Sequence, residues 1–210
     1  MKKMAVLHTP GEWTGFRGKF HAWFFSTYSR KIFEFLFFGN YWTSFKRELF
    51  RRIKHGDENV LDIGAGSGNF SLPIAKKMKQ GKVISLDLST EMTDYLQAKA
   101  KQNSLQDRIV VLNRHAEETG LENDSVDWVV SGNCMHEMSN PEKIWTEMHR
   151  VVKPGGALFI VDFLDRHGFH DGDAHGPYSV LQMSELFSGA CFKNVSVEQR
   201  RHFVVGIAEK

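Results

Sequence analysis

Three glycines and one aspartate are the residues of this sequence whose types and spacing predict ligand chemistry most directly. Gly64, Gly66 and Gly68 follow the apolar run 60–63, and glycines in such a loop let backbone amides approach a ligand without an intervening Cβ. A tight turn needed only for packing would explain the loop alone. Asp87 ends the next apolar run, 19 positions after Gly68, where a carboxylate can accept hydrogen bonds from both hydroxyls of a ribose. The combination predicts a nucleoside-binding site.

The spacing inside the loop separates two nucleoside cofactors, NAD and S-adenosylmethionine (SAM). A dinucleotide loop usually has the pattern G-x-G-x-x-G, whereas here Gly68 is already the third glycine and Asn69 follows it. A pyrophosphate site is therefore disfavoured. Asp62 precedes the loop, and its charge suits the cationic amino and sulfonium groups of SAM better than a pyrophosphate. Ala65 lies between the first two glycines and belongs to the same predicted cofactor loop.

The elements that must position these residues alternate along the chain. Short β-branched runs are followed by segments of helical spacing, which is typical of a parallel sheet with crossover helices. The predicted strands are residues 60–63, 83–87, 109–112, 126–130 and 157–161. The predicted helices are residues 69–79, the segment capped by Ser89 and residues 141–151, with a turn at 153–156. The sequence therefore predicts an α/β fold.

The C-terminal part departs from this alternation. A polar loop over residues 165–176 precedes a predicted helix at 179–190. The last two predicted strands, 195–197 and 203–207, are separated by too few residues for a parallel crossover, so they should pair antiparallel.

The N-terminal part is rich in aromatic residues, with eight phenylalanines and tryptophans between positions 20 and 38. Charged or polar residues interrupt this stretch, whereas a membrane-spanning helix needs roughly 20 consecutive, mainly apolar residues. The interrupting residues are His21, Arg30, Lys31 and Glu34. We expect helices that cap a substrate pocket, touch a membrane surface peripherally or pack in the core. The predicted division is a helical cap region over 1–55 and a cofactor-binding domain over 56–210.

Composition favours some classes of function over others. The 27 basic and 25 acidic residues leave a formal net charge of +2, which favours a small or neutral substrate over nucleic acid. Cys134 and Cys191 are too few for a disulfide framework or a four-cysteine zinc site, which favours the cytoplasm. The polar loop contains metal-ligand types without a recognised spacing, so we predict no metal there. These residues are His167, His170, Asp171, Asp173 and His175.

The motifs, taken in order, resemble those of class I SAM-dependent methyltransferases, especially the ubiquinone and menaquinone biosynthesis C-methyltransferase group. Residues 60–68 resemble the family's first motif, and residues 151–158 resemble its turn before the fifth strand. Asp87 is similar to the family's ribose-binding acid, and Leu88 to the apolar residue that lies against the adenine. The resemblance covers most of the chain.

This resemblance implies a three-layer, Rossmann-like fold with a mostly parallel seven-stranded sheet and a C-terminal antiparallel hairpin. It also implies SAM as cofactor and S-adenosylhomocysteine as product. Ala116 and Glu117 resemble the short motif beside the adenine, although His115 stands where many relatives have an aspartate. We therefore assign the adenine contact to Ala116 and Glu117. A looser match over Tyr28 and residues 38–42 hints at a quinone-like acceptor.

Residues 132–137 follow the fourth strand and should lie where methyl donor and acceptor meet, because ligands bind beyond the carboxyl ends of such strands. His136 is the candidate general base, since an imidazole titrates near neutral pH. It could equally begin a helix with Glu137 or pair with backbone groups. Asn133 is predicted to contact the methionine end of SAM. Cys134 either touches the substrate or is a small packing residue.

Four aromatic residues are candidates for the acceptor pocket, although packing explains them equally well: Trp23, Tyr28, Tyr41 and Trp42. The leading hypothesis is a SAM-dependent methyltransferase acting on a small, hydrophobic or aromatic molecule. RNA methylation is an alternative, but it would require a basic face and a target-base motif. A non-catalytic SAM-binding module and an NAD-dependent oxidoreductase are further alternatives. The oligomeric state is left open.

Overall fold

A computed structural model describes residues 41–164 and 177–210 of the chain. The helices are α1 (Tyr41–Arg52), α2 (Ser71–Lys77), α3 (Thr90–Gln102), α4 (Pro141–Val151) and α5 (Val180–Gly189). The strands are β1 (Val60–Ile63), β2 (Val83–Asp87), β3 (Ile109–Asn113), β4 (Val126–Gly132), β5 (Val152–Phe163), β6 (Lys193–Arg200) and β7 (Phe203–Glu209). A 3-10 helix spans Met135–Glu137.

The described strands form a seven-stranded sheet in the order β3-β2-β1-β4-β5-β7-β6. The first five strands of this order pair in parallel, whereas β7 runs antiparallel to both β5 and β6. This topology confirms the predicted fold class and its C-terminal hairpin. The strand order reverses between β1 and β4, and α/β folds bind ligands beyond the carboxyl ends of the strands at such a point.

Side chains alternate along each strand and so bury apolar groups on both faces of the sheet. On β5, Leu158 and Ile160 belong to a core cluster with residues of α4 and α5. Their neighbours Phe159 and Val161 belong to a second cluster with residues of α1, α2 and α3. The central strands therefore bury side chains on both faces, as expected for a parallel sheet covered by helices on both sides.

The helix predicted over residues 69–79 is shorter at both ends, because α2 spans Ser71–Lys77. Met78 already has an extended backbone conformation. The amides of residues 79–81 then donate to the carbonyl oxygen of Gly56, which turns the chain toward β2. This tertiary contact ends the helix earlier than local spacing predicts.

The predicted separate turn at residues 153–156 is wrong, since these residues belong to the first part of β5. The pairing of β5 with β4 shifts register between Val126 and Trp128, and this irregularity accommodates the extra residues. The C-terminal residue also fixes residues 153–156 in place, because the amide of Lys210 donates to the carbonyl oxygen of Gly156 at 3.0 Å.

Helix α1 packs directly against the sheet. Phe45 and Leu49 are fully buried, and Glu48 pairs with Arg200 of β6 at 2.5 Å. The division of the chain at residue 55 stays a prediction. The rest of the predicted cap, residues 1–40, and the polar loop 165–176 lie outside the described residues. Within 41–164 and 177–210, no helix combines the length and apolar composition needed to cross a membrane.

Candidate cofactor and acceptor site

The loop after β1 places its three glycines at positive φ, with values of 67° at Gly64, 49° at Gly66 and 86° at Gly68. A Cβ on Gly64 would overlap the thiol of Cys134, and one on Gly68 would lie 2.5 Å from Leu96 Cδ1. A Cβ on Gly66 would meet no described atom closer than 4.0 Å. The steric clearance predicted for all three glycines is therefore found at Gly66, whereas the other two are needed for packing within the protein.

Asp87, at the end of β2, connects that strand to the glycine loop. Its Oδ2 accepts a hydrogen bond from the amide of Gly66 at 2.8 Å, and its Oδ1 accepts one from the amide of Ser89 at 2.9 Å. Burial raises the pKa of Asp87, against the lowering effect of these two hydrogen bonds. Each carboxylate oxygen retains a lone pair that can accept a hydroxyl donor. The predicted partners are therefore brought together.

Asp62 lies beneath the loop and is only 2% exposed. Its Oδ2 accepts a hydrogen bond from the Ser71 hydroxyl at 2.5 Å, and that hydroxyl lies 2.6 Å from the Ser85 hydroxyl. Burial, together with the charge of Asp87, raises the pKa of Asp62 to about 7. The acid thus supports the loop from below, and its predicted contact with a bound cofactor stays a prediction.

The predicted adenine-binding residues lie near the carboxyl ends of β2 and β3. Leu88 is 46% exposed and so presents an apolar surface next to Asp87 against which a flat base could lie. The side chain of Asn113 donates to the carbonyl oxygen of Leu88 at 2.8 Å and so holds this surface against β3. Ala116 is half-buried, and Glu117 lies 3.8 Å from the Lys143 ammonium group.

Asn133 follows β4 with a φ of 53°, a conformation that asparagine tolerates better than most residues. Its amide donates to the carbonyl oxygen of Val161 at 2.8 Å. Its side-chain oxygen is buried and has no hydrogen-bond partner among the described residues. Buried polar atoms are usually paired, so an unpaired acceptor at this edge of the sheet indicates a place for a donor from a ligand.

Cys134 lies against Gly64, on the side of the loop that faces β4. Burial raises the pKa of its thiol well above the usual value, and the charges of Asp87 and Glu137 act in the same direction. The thiol is therefore protonated at neutral pH and is not an activated nucleophile. The packing interpretation of Cys134 fits this geometry, and a contact with substrate stays a prediction.

His136, in the 3-10 helix, pairs with Asp162 near the end of β5. Its Nδ1 lies 2.6 Å from Asp162 Oδ1, and its amide donates to Asp162 Oδ2 at 3.1 Å. Burial alone would lower the pKa of His136. The hydrogen bond and charge of Asp162, together with the charge of Glu137, outweigh this effect, so the pKa of His136 is raised above its ordinary value. Asp162 was not identified as a site residue from the sequence. Its one signal in the sequence is that an acidic residue directly follows the apolar run 157–161.

Trp42 and Phe70 cover the end of β4, because a Cβ on Gly132 would overlap the ring of Phe70 and lie 3.2 Å from Trp42 Cη2. Trp42 is 8% exposed, and Tyr41 packs against Phe203 with ring centroids 6.1 Å apart. The structure thus places Trp42 beside the candidate site and in the core, and its contact with substrate stays a prediction. Trp23 and Tyr28 lie outside the described residues.

The described part of the chain contains no group of three or more His, Cys, Asp or Glu side chains arranged to hold a metal ion. The polar loop 165–176, which carries His167, His170, Asp171, Asp173 and His175, lies outside it.

Comparison with known proteins adds independent information. Residues 61–160 match a family model described as a methyltransferase domain. A demethylmenaquinone methyltransferase of Oceanobacillus iheyensis is 31% identical over 57% of this chain and 50% of the relative. A ubiquinone/menaquinone biosynthesis C-methyltransferase of Vibrio campbellii is 28% identical over 50% of this chain and 41% of the relative. The chain therefore spans about half the length of these curated relatives, or less.

Solved structures agree with the sheet topology. The crystal structure of a SAM-dependent methyltransferase from Aquifex aeolicus is 26% identical and covers 78% of this chain and 88% of its own, with a TM-score of 0.67.

Proposed function

We propose that the chain transfers a methyl group from SAM to a small, hydrophobic or aromatic acceptor, because residues 61–160 match a methyltransferase-domain model and the fold is similar to that of a SAM-dependent methyltransferase. The observation that carries this proposal is the hydrogen bond that joins the glycine loop to Asp87 at 2.8 Å. It brings a backbone cradle and a ribose-type carboxylate together at the reversal point of the sheet.

The residues around this bond fit the parts of SAM. The Asp87 carboxylate would accept the ribose hydroxyls, and the exposed Leu88 would lie against the adenine, with Ala116 and Glu117 at its edge. The buried, unpaired side-chain oxygen of Asn133 would accept a hydrogen bond from the cationic amino group. When bound, SAM supplies an electrophilic methyl group on a sulfonium and leaves as S-adenosylhomocysteine.

His136 is the group that would accept a proton from the acceptor. Its side chain is 18% exposed, so the imidazole is accessible while still held by Asp162. A positioned base of this kind contributes roughly 10²–10⁴-fold to a rate. Alignment of the acceptor with the methyl group supplies much of the remaining acceleration.

A row of aromatic rings supports a hydrophobic or aromatic acceptor. Phe163 lies edge-on to His136 with ring centroids 5.4 Å apart and stacks on Phe203 at 5.7 Å. Phe203 in turn contacts Trp42 at 5.8 Å. Such rings would favour an apolar acceptor and keep water from the reacting groups. The names of the two relatives, both of quinone methyltransferases, support a quinone-like molecule in particular.

The test is formation of S-adenosylhomocysteine from SAM, followed by mass spectrometry, with a panel of reduced short-chain quinones, catechols and simple phenols. A structured RNA is included as the competing acceptor class. We expect turnover with at least one small acceptor and none with RNA, and an Asp87→Ala variant should lose that turnover. Turnover with RNA alone would overturn the proposed acceptor class.

A further inference from the structure

Asp162 is a carboxylate with no solvent exposure at the end of β5. Three nitrogen atoms face it: the amide of Phe163, which donates to Oδ1 at 2.7 Å, the amide of His136, which donates to Oδ2 at 3.1 Å, and His136 Nδ1, which lies 2.6 Å from Oδ1. An ionised carboxylate accepts hydrogen bonds only, so an ionised Asp162 would pair with an Nδ1 that carries a proton.

Burying a carboxylate is costly unless its oxygens are satisfied and a charge or donor faces it. Within the described ranges, the ion-pair partner of Asp162 is the His136 imidazole, with no lysine or arginine in contact. The 3-10 helix that carries His136 follows β4, and Gly132 at the end of β4 pairs in parallel with Val161 of β5, next to Asp162. The pairing of β4 and β5 thus places the carboxylate against the imidazole.

We propose that Asp162 is a positioning residue for His136. Asp162 keeps the proton on Nδ1, so that Nε2 is the atom that takes the proton from the methyl acceptor. This inference rests on the proposed function. In the proton transfer, the bond between the acceptor atom and its hydrogen breaks, a bond from Nε2 to hydrogen forms, and the electron pair remains on the acceptor. Asp162 then faces an imidazolium cation, whose charge it stabilises.

Glu137 is the second carboxylate that acts on this imidazole. Its Oε1 lies 3.7 Å from His136 Nε2, and its side chain is 36% exposed. It lies on the same 3-10 helix as His136, whereas Asp162 approaches from β5. Because the Glu137 contact is longer and more solvated, Asp162 should govern the tautomer and most of the charge effect.

The test reads the imidazole itself, through histidine nitrogen chemical shifts of the full chain as a function of pH, without cofactor or acceptor. In the wild type we expect the neutral imidazole to carry its proton on Nδ1. Asp162→Asn should lower the pKa of His136 by about one unit or more, because an opposite charge is removed. An amide also cannot accept from all three donors, so the Nδ1 preference should weaken. Glu137→Gln, the matched control, should shift the pKa less and leave the tautomer unchanged.

Turnover supplies a second readout. In Asp162→Asn the acid limb of the kcat/KM profile should move to lower pH and its plateau should fall about 10²-fold or more, with SAM affinity unchanged. A wild-type imidazole protonated on Nε2 would overturn the proposal, and this measurement holds even if the variant does not fold. Failure of the proposed function would appear differently, as no turnover by wild-type protein whose imidazole carries the Nδ1 proton.

Discussion

At the scale of single residues, Asn133 is the clearest case of a side chain that the fold alone does not explain. Its backbone lies in the left-handed region, and its buried side-chain oxygen has no partner within the described residues. Leaving a buried acceptor unpaired costs roughly 1–3 kcal/mol. A residue that carries such a cost at the carboxyl edge of the sheet is expected to recover it when a ligand binds.

Asn133→Gly tests this directly, because glycine keeps the positive φ while removing the side chain. We expect stability within about 1 kcal/mol of the wild type and a SAM affinity lower by about tenfold or more, since a charge-assisted hydrogen bond is lost. The measurements are urea unfolding and calorimetric titration. The control is Asn194→Gly, at a φ of 50° on β6, which should leave affinity unchanged. Wild-type affinity in Asn133→Gly would remove this residue from the site.

At the scale of elements, the glycines in the turn between β1 and α2 have two different roles, one in packing and one in leaving space for a ligand. Gly68 gives room to Leu96 of α3, whereas the space beside Gly66 is left open by the described chain. Both positions have positive φ, so an alanine at either would cost about 1–2 kcal/mol in backbone strain. They therefore form a matched pair of sites that differ in what lies beside them.

Gly66→Ala should fold with a modest loss of stability and a large loss of SAM affinity. Gly68→Ala should lose more stability, because its Cβ would also press on Leu96. Thermal unfolding and SAM titration of both variants separate these effects. If Gly66→Ala bound SAM as tightly as the wild type, the open side of the loop would not be the cofactor side.

The buried hydrogen-bond chain of Asp62, Ser71 and Ser85 beneath the loop predicts a pH dependence of stability. The pKa of Asp62 is about 7 in the folded protein against an ordinary value of 3.8, so the folded state retains a proton that the unfolded chain releases. The stabilisation is therefore complete below the lower value and is lost as pH rises through about 7. Asp62→Asn should lack this loss, because its amide does not ionise.

The measurement is the free energy of unfolding of both proteins between pH 5 and pH 8.5. As pH rises, the free energy of unfolding of the wild type should fall relative to that of Asp62→Asn. His136, whose raised pKa also makes the fold less stable as pH rises, contributes equally to both proteins and cancels. Parallel curves would contradict the protonated state assigned to Asp62.

At the scale of the whole molecule, local signals predicted the architecture and distant pairings completed the site. Strand and helix spacing, the glycine loop and Asp87 are visible within short windows of sequence, so the fold class and the loop's tie to Asp87 were predictable. The contact between His136 and Asp162 spans 26 positions and depends on how β5 lies against β4. The overlap that excludes a Cβ at Gly64 likewise depends on Cys134, which follows β4, 70 positions later in the chain. Such contacts follow from register, which no local pattern specifies.

The most direct test of the account is calorimetric titration of the full chain with SAM, S-adenosylhomocysteine and NAD, repeated with Asp87→Ala. We predict saturable binding of SAM and S-adenosylhomocysteine, no binding of NAD, and a marked loss of affinity in the variant, because the ribose acceptor and the anchor of the glycine loop are both removed. Binding of NAD without SAM, or unchanged SAM affinity in Asp87→Ala, would contradict the cofactor site described for this protein.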